Sequence, residues 1–316
     1  MAMRMGPRWL ATLVLTVWVV PTFAGDERST DVILDLEYAN VGGRSLKLDL
    51  AQPSEEAGPF PAVVVIHGGA WRTGNKAHHR GLLADLARRG YVAISPQYRF
   101  CPQDRFPAQV HDVKAAVRWL RTHAEEYRID PERIGAMGFS AGGHLSLMLG
   151  VTSPEDGLEG GVPPGAPSSR VAAVVNYFGP TDLLASRIPL TSRFLIRDFL
   201  GKLPDELPEM AAKASPVTFV TRDDPPMLTF HGTNDPIVPF DQATRLAAAM
   251  NRAGVKGRVE LVVGAGHGWF GRENHRTMDV TFEFFDAHLK PQARRVEPPT
   301  GDAPRPDAVA GGSSGN

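Results

Sequence analysis

Two hydrophobic periodicities alternate along this chain. Ala62-Val63-Val64-Val65-Ile66 is an unbroken, mostly β-branched run without a polar face, the pattern of a strand covered on both sides. Tyr91 to Ser95, Val171 to Val175, Pro226 to Phe230 and Arg258 to Val263 predict further strands. Between them the spacing becomes helical. Pro107 opens a run with apolar residues at Val110, Val113, Val117, Leu120, Ala124 and Tyr127, in alternating steps of three and four. Residues 77–89 closing on Gly90, residues 239–253 closing on Gly254, and residues 274–289 with Met278, Phe282, Phe285 and Leu289 on one face also predict helices. Near the start, Val32, Leu34 and Leu36 alternate with polar residues, as do Leu46, Leu48 and Leu50 after Gly42-Gly43, which predicts an antiparallel hairpin at a sheet edge. The fold class is therefore α/β: a mostly parallel central sheet with helices on both faces.

Two stretches interrupt the alternation. Residues 153–170, rich in Pro, Gly and Ser, read as a loop or small insert. From about residue 179 to 225 the chain leaves the sheet. Phe194, Leu195, Phe199 and Leu200 there mark a short helix begun by Thr191 or Ser192, so a small helical cap insert over an active site is expected. The two ends differ from the body. Arg4 and Arg8, the apolar run Trp9 to Val20 and the small-residue site Pro21-Thr22-Phe23-Ala24 predict a cleavable signal peptide over residues 1–24, cut after Ala24. An uncleaved anchor is the alternative, but the run is short for a membrane span, and Gly25 rather than Cys argues against a lipid-modified terminus. Residues 291–316 carry Pro, Gly, Asp and Ser with few large apolar side chains, and predict a disordered tail. The expected layout is a leader, one catalytic domain over residues 25–290, and the tail, in a secreted or periplasmic protein.

Acids and bases nearly cancel, 35 against 34, which gives no reason to expect nucleic acid or an anionic membrane as a partner. Cys101 is the single cysteine, in a context, Phe100-Cys101-Pro102, that shows no partner motif; a buried, inert thiol is expected.

The chemistry concentrates in stretches that follow predicted strands, at the end of the sheet where ligands bind in such folds. Gly138-Phe139-Ser140-Ala141-Gly142 reads Gly-x-Ser-x-Gly, a sharp strand-to-helix corner that lifts the serine hydroxyl from the sheet and needs small flanking residues. A serine becomes nucleophilic only when a base removes its proton and a third group fixes the base's tautomer. His267, in Gly264-Ala265-Gly266-His267-Gly268, is the candidate base. Asp235, in His231-Gly232-Thr233-Asn234-Asp235-Pro236, is the candidate acid. Asp182 is a rival acid, for which a helix-capping role at the entrance of the cap is expected; Asp223 and Asp224 precede their strand and so lie at its wrong end. His67-Gly68-Gly69-Ala70-Trp71 follows a buried strand and lets backbone N–H groups face a substrate oxygen, joined by the N–H of Ala141. His67 is expected to shape this loop. His144, one turn into the helix after the serine, and Trp71 are candidate substrate contacts. No His-Glu-x-x-His or cysteine-rich spacing suggests a metal, and the triad chemistry needs no cofactor.

These motifs, over about residues 31–290 and in the order Ser, Asp, His, resemble the α/β-hydrolase family, in the branch with an HGG-type oxyanion loop. The stretches Trp71-Arg72-Thr73-Gly74-Asn75-Lys76, Phe106-Pro107-Ala108-Gln109 and Phe178-Gly179-Pro180-Thr181-Asp182 look most like the bacterial acetyl xylan and feruloyl esterase-like group. By that resemblance Gly69 and Ala70, with Ala141, are the oxyanion donors. Ala70 stands where many lipase relatives have a third glycine. The implied activity is a serine carboxylesterase acting on acetyl-type esters of plant polysaccharides; the alternatives are an arylformamidase-like hydrolase, a feruloyl esterase, or an inactive hydrolase fold used for binding. A narrow acyl site closed by Trp71, Phe194 and Phe199 is expected above Ala70.

Overall fold

The computed structural model describes residues 30–290 except 55, 56 and 164, so the expected leader and tail lie outside the described residues. In chain order the elements are β1 Thr30–Val41, β2 Arg44–Pro53, β3 Phe60–Ile66, α1 Arg80–Arg88, β4 Val92–Pro96, α2 Ala108–Thr122, β5 Ile129–Phe139, α3 Ala141–Val151, β6 Ala173–Tyr177, α4 Leu190–Leu200, α5 Pro208–Lys213, β7 Met227–Gly232, α6 Asp241–Ala253, β8 Gly257–Val262 and α7 Arg272–Leu289. Among the described residues the strands form one eight-stranded sheet in the order β1-β2-β4-β3-β5-β6-β7-β8. The first two pairings, β1 with β2 and β2 with β4, are antiparallel; the rest are parallel.

The apolar run at β3 is explained by its two faces. Ala62, Val64 and Ile66 pack with Val113 and Val117 of α2, Leu145 and Met148 of α3 and Leu246 of α6. Val63 and Val65 pack on the other side with Leu82 and Leu86 of α1 and Met278, Phe282 and Phe285 of α7. With period-2 alternation, a strand between two helical layers has no residue to spare for water.

Three expectations need correction. Along β1 the register shifts between Ile33 and Leu36 and between Glu37 and Ala39, and each bulge exchanges the faces. As a result Val32 and Leu34 are exposed, whereas Ile33, Leu36, Tyr38 and Ala39 pack inward. The helix after Pro107 ends at Thr122, five residues before Tyr127, because the chain turns there and Arg128 takes a left-handed φ of 56°. The cap helix α4 begins at Leu190 after Pro189 rather than at a Thr or Ser cap.

The polar residues of interest gather at the C-terminal edge of the parallel strands. Ser140 follows β5, His67 follows β3, Asp235 follows β7 and His267 follows β8. Residues 180–196, in the excursion between β6 and β7, reach back over this edge to help enclose a cavity at Ser140.

Candidate active site

Ser140 stands at the corner between β5 and α3 with φ 54° and ψ −119°, a conformation that costs a non-glycine residue about 1–3 kcal/mol. The corner is held from both sides. The Ser140 N–H donates to Tyr177 O (2.8 Å), and a Cβ on Gly138 would run into the Gly142 carbonyl, so strand and helix can touch only through glycines.

The hydroxyl lies 2.9 Å from His267 Nε2, and His267 Nδ1 lies 2.7 Å from Asp235 Oδ2. An ionised carboxylate only accepts, so Nδ1 carries the ring proton and Nε2 presents its lone pair to Ser140. The other Asp235 oxygen accepts from the N–H groups of Ile237 and Val238, both at 2.9 Å. Burial alone would raise this carboxyl's pKa. The ring N–H groups of His231 and His267 and the N–H of Val238 outweigh that and hold it down to about 2. Asp235 is therefore an anion at any working pH, able to hold the tautomer and to stabilise an imidazolium.

Asp182, the rival, is engaged elsewhere. Its carboxylate accepts from Leu184 N–H (3.0 Å) and pairs with Arg245 (3.1 Å), closing a turn rather than capping a helix. Asp224 likewise closes a turn on Thr221 N–H (2.9 Å).

The loop after β3 bends through three consecutive positive φ values, 118° at Gly69, 53° at Ala70 and 56° at Trp71. Such a run turns successive N–H groups to one side. Arg72 and Thr73 N–H donate to Gly69 O, and Cys101 N–H donates to Trp71 O, which leaves the carbonyls engaged. The N–H groups of Gly69, Ala70 and Ala141 have no partner among the described residues. Ala141 opens α3, so its donor also carries the positive end of that helix. His67 shapes the loop as expected: its Nδ1 donates to Gly68 O (2.8 Å) and its ring stacks on Tyr98 at 4.4 Å.

His144 is corrected. It is fully buried and absent from the walls of the cavity at Ser140. Its Nε2–H donates to Ala214 O (2.8 Å), and its Nδ1 accepts from Trp71 Nε1 (3.2 Å). Burial holds its pKa down to about 4, which keeps it a neutral strut between the cap segment and the loop. Trp71 does line the cavity while stacking on Phe199 at 4.2 Å. Phe199 therefore braces Trp71 from behind, and Phe194 points outward, 43% exposed, so neither closes the space above Ala70. That space is closed by Pro180, Ile188, Leu195, Ile196, Ile237 and Val238. Its polar residues are spent internally: Ser192 donates to Ile237 O, and Gln242 Oε1 accepts from Thr181 and Asp182 N–H. The cavity volume is about 40 Å³.

Sequence reasoning missed His231 and the isoleucines of this pocket. His231 opens the stretch that holds Asp235, but its role shows only in its Nε2 contacts, to Val238 O (2.7 Å) and Asp235 Oδ2 (3.5 Å), which support the Asp235 loop.

Comparison with known proteins gives the same family from several directions. Esterase LipC of Mycobacterium tuberculosis is 36% identical over 228 residues, 69% of this chain and 55% of the relative. The chain spans about half the length of the curated relatives it matches. A truncated carbohydrate esterase from gut microbiota superposes with a TM-score of 0.71 at 31% identity, covering 84% of this chain and all of that one. A propionate-bound esterase of Thermogutta terrifontis superposes at 0.69 with 30% identity, covering 82% and 96% of the two chains. The BD-FAE family profile matches residues 48–250, a stretch that holds Ser140 and Asp235 and stops short of His267. With this profile spanning well over half of its length, the chain belongs to the BD-FAE family of α/β-hydrolase fold proteins.

Proposed function

We propose that this protein is an exported serine carboxylesterase that removes acetyl and other short acyl groups from carbohydrate esters. The observation that carries the reading is the continuous chain from Ser140 Oγ through His267 to Asp235, at 2.9 and 2.7 Å, on a cavity that Ala70 and Ala141 also line, with the N–H groups of Gly69, Ala70 and Ala141 without a partner among the described residues.

In the reaction Ser140 Oγ attacks the ester carbonyl as His267 Nε2 takes its proton. The carbonyl oxygen becomes an oxyanion that accepts from Gly69, Ala70 and Ala141 N–H. Collapse breaks the bond to the alcohol, which leaves with the proton from His267, and Ser140 keeps the acyl group. A water then gives its proton to His267 and attacks the acyl-enzyme. The second collapse returns that proton to Ser140 and releases the acid. Because the donors are fixed by the fold, they need no reorganisation when charge develops.

The small apolar cavity beside Ser140 supports a short acyl group, as does the propionate bound in the Thermogutta terrifontis esterase. Similarity to a carbohydrate esterase supports the sugar alcohol, and the leader-like residues 1–24 support export. The test is a panel of p-nitrophenyl acetate, butyrate and octanoate, a feruloyl ester, acetylated xylan and N-formylkynurenine, run beside stoichiometric labelling with an organophosphate. Hydrolysis of acetyl esters, with the phosphoryl mass on the peptide holding Ser140, is expected. Labelling elsewhere, or full turnover by Ser140→Ala, overturns the mechanism; preference for N-formylkynurenine overturns the substrate class.

A further inference from the structure

A second cavity, of about 370 Å³, is lined in part by His67 and Gly74, the two ends of the loop whose Ala70 and Trp71 line the cavity at Ser140. That volume lies within the usual range of small-ligand sites, about 300–1,000 Å³. It sits at the same edge of the sheet as Ser140. β2 runs antiparallel to β4 with Leu48 opposite Pro96, so Arg44, Ser45 and Leu46 stand beyond the end of β4. Its floor is His67, Tyr98 and Leu46; Gln97 and the half-buried Phe100 form walls; Asn75, Gln103 and Arg44 form the rim. The cavity and the catalytic serine share the loop as a partition. His67 and Gly74 line the cavity, and Gly68 between them is so close to Ser140 that a Cβ there would lie 3.3 Å from the serine Cβ.

The wall chemistry decides what would bind. Charges are compensated: Arg44 is paired with Asp104 at 2.6 Å, and Arg99 with Asp112 at 2.7 Å. An anion would therefore have to break an existing ion pair. Three carboxamides, by contrast, keep hydrogen-bonding capacity. Asn75 and Gln97 use their oxygens to accept from Ala77 and Lys47 N–H, which leaves both NH₂ groups unengaged, and the Gln103 amide has no partner among the described residues. Neutral donors and acceptors around a half-buried aromatic ring suit a polyol: hydroxyls bond to the amides while the C–H face of the ring rests on Phe100.

We infer that this cavity, lined by Asn75, Gln97, Phe100 and Gln103, binds a sugar unit of the substrate on the alcohol side of the ester. The inference rests on the esterase reading above and gives the site two chambers, one for the acyl group and one for a sugar of the chain that carries it.

The test compares wild type and Gln103→Ala on p-nitrophenyl acetate and on acetylated xylo-oligosaccharides. Loss of one neutral hydrogen bond should raise KM for the oligosaccharide about three- to tenfold, with kcat and all p-nitrophenyl acetate kinetics unchanged. Gln103 is exposed in a turn, so folding is not at stake; Gln103→Trp, which fills the mouth, should raise the same KM further. Equal losses on both substrates, or none on either, overturn the inference. Binding is read separately by titrating the full-length Ser140→Ala protein with unacetylated xylotriose. Saturable binding that weakens in the Ser140→Ala/Gln103→Trp double variant is expected and supports the cavity even where no ester is hydrolysed. Failure of xylotriose to bind overturns the cavity and leaves the esterase mechanism intact.

Discussion

The two cavities beside the 67–74 loop differ in what their walls leave unsatisfied. On the cap side, Ser192 and Gln242 are bonded to the backbone around them and the remaining surface is aliphatic. On the hairpin side, amides of Asn75, Gln97 and Gln103 still have capacity, and the volume is about 370 Å³ against about 40 Å³. A small apolar chamber can discriminate acyl length, because each misfit methylene is felt; a wide amide-lined one can discriminate only by hydrogen bonds. On the proposed reading, one loop lies between selection by size and selection by pattern.

The largest expected effect removes the chemistry both chambers share. Ser140→Ala, His267→Ala and their double mutant should each lose on the order of 10⁴-fold or more in kcat, by similar amounts, on both p-nitrophenyl acetate and a sugar ester. Additive losses would mean the two side chains do not act as a unit.

Asp235→Asn should cost roughly 10³–10⁴-fold on both substrates, because an amide can offer His267 Nδ1 a donor and so favour the wrong tautomer. Asp182→Asn should leave kcat within about twofold and show its effect, if any, as a small fall in Tm, since it loses only the partly exposed pairing with Arg245. If the second variant were the more damaging to turnover, the acid would have to be reassigned.

A smaller effect tests the cap-side chamber alone. Acetate should be turned over at least as well as butyrate, and octanoate far less. Ile188→Ala should shift the preference toward longer chains, by about fourfold in kcat/KM for each extra methylene accommodated. Sugar-ester KM should stay unchanged. A steady rise from acetate to octanoate in the unmodified enzyme would show that the chamber is open at its far end.

The smallest effect at neutral pH concerns the struts behind the loop. Burial holds the pKa of His67 down to about 4, His79 to about 3 and His144 to about 4. In the unfolded chain each titrates near 6.5, so between about pH 6.5 and 4 the unfolded state binds more protons, and stability falls as pH falls. Each buried histidine adds a slope of roughly 1 kcal/mol per pH unit in that window, and His79 goes on contributing down to about pH 3. Asp235, depressed to about 2, adds its own loss only below about pH 3.8. Urea midpoints from pH 7 to 4 measure this directly. Replacing His144 by Gln should remove one slope while leaving the others; an unchanged profile would mean that His144 does not titrate on unfolding.

Much of this was legible in the sequence because it depends on local rules. Continuous β-branched runs mark doubly covered strands, three-and-four spacing marks helices, and Gly-x-Ser-x-Gly marks a corner where only glycines fit. The positions of Asp235 and His267 after successive strands followed from topology, since parallel strands place every following loop at one edge. What failed depended on contacts between distant segments. The β1 bulges are set by pairing with β2, so the face exposing Val32 and Leu34 could not be read from alternation. His144 was placed near the substrate by its single helical turn from Ser140, but the direction of that turn is fixed by Trp71 and by Ala214, 70 residues away. The cavity at Ser140 is built from Ile188 and Ile196 before β7 and Ile237 after it, residues with no shared period.

The sequence alone determined the fold class, the order of the strands' chemistry and the identity of the three polar groups at Ser140, because periodicity and motif are properties of a few consecutive residues. Only the tertiary structure decided which side chains face the substrate and which merely hold others in place. That choice is a matter of packing, where the enclosing neighbours come from segments 45 to 127 residues apart and no local pattern carries their distance.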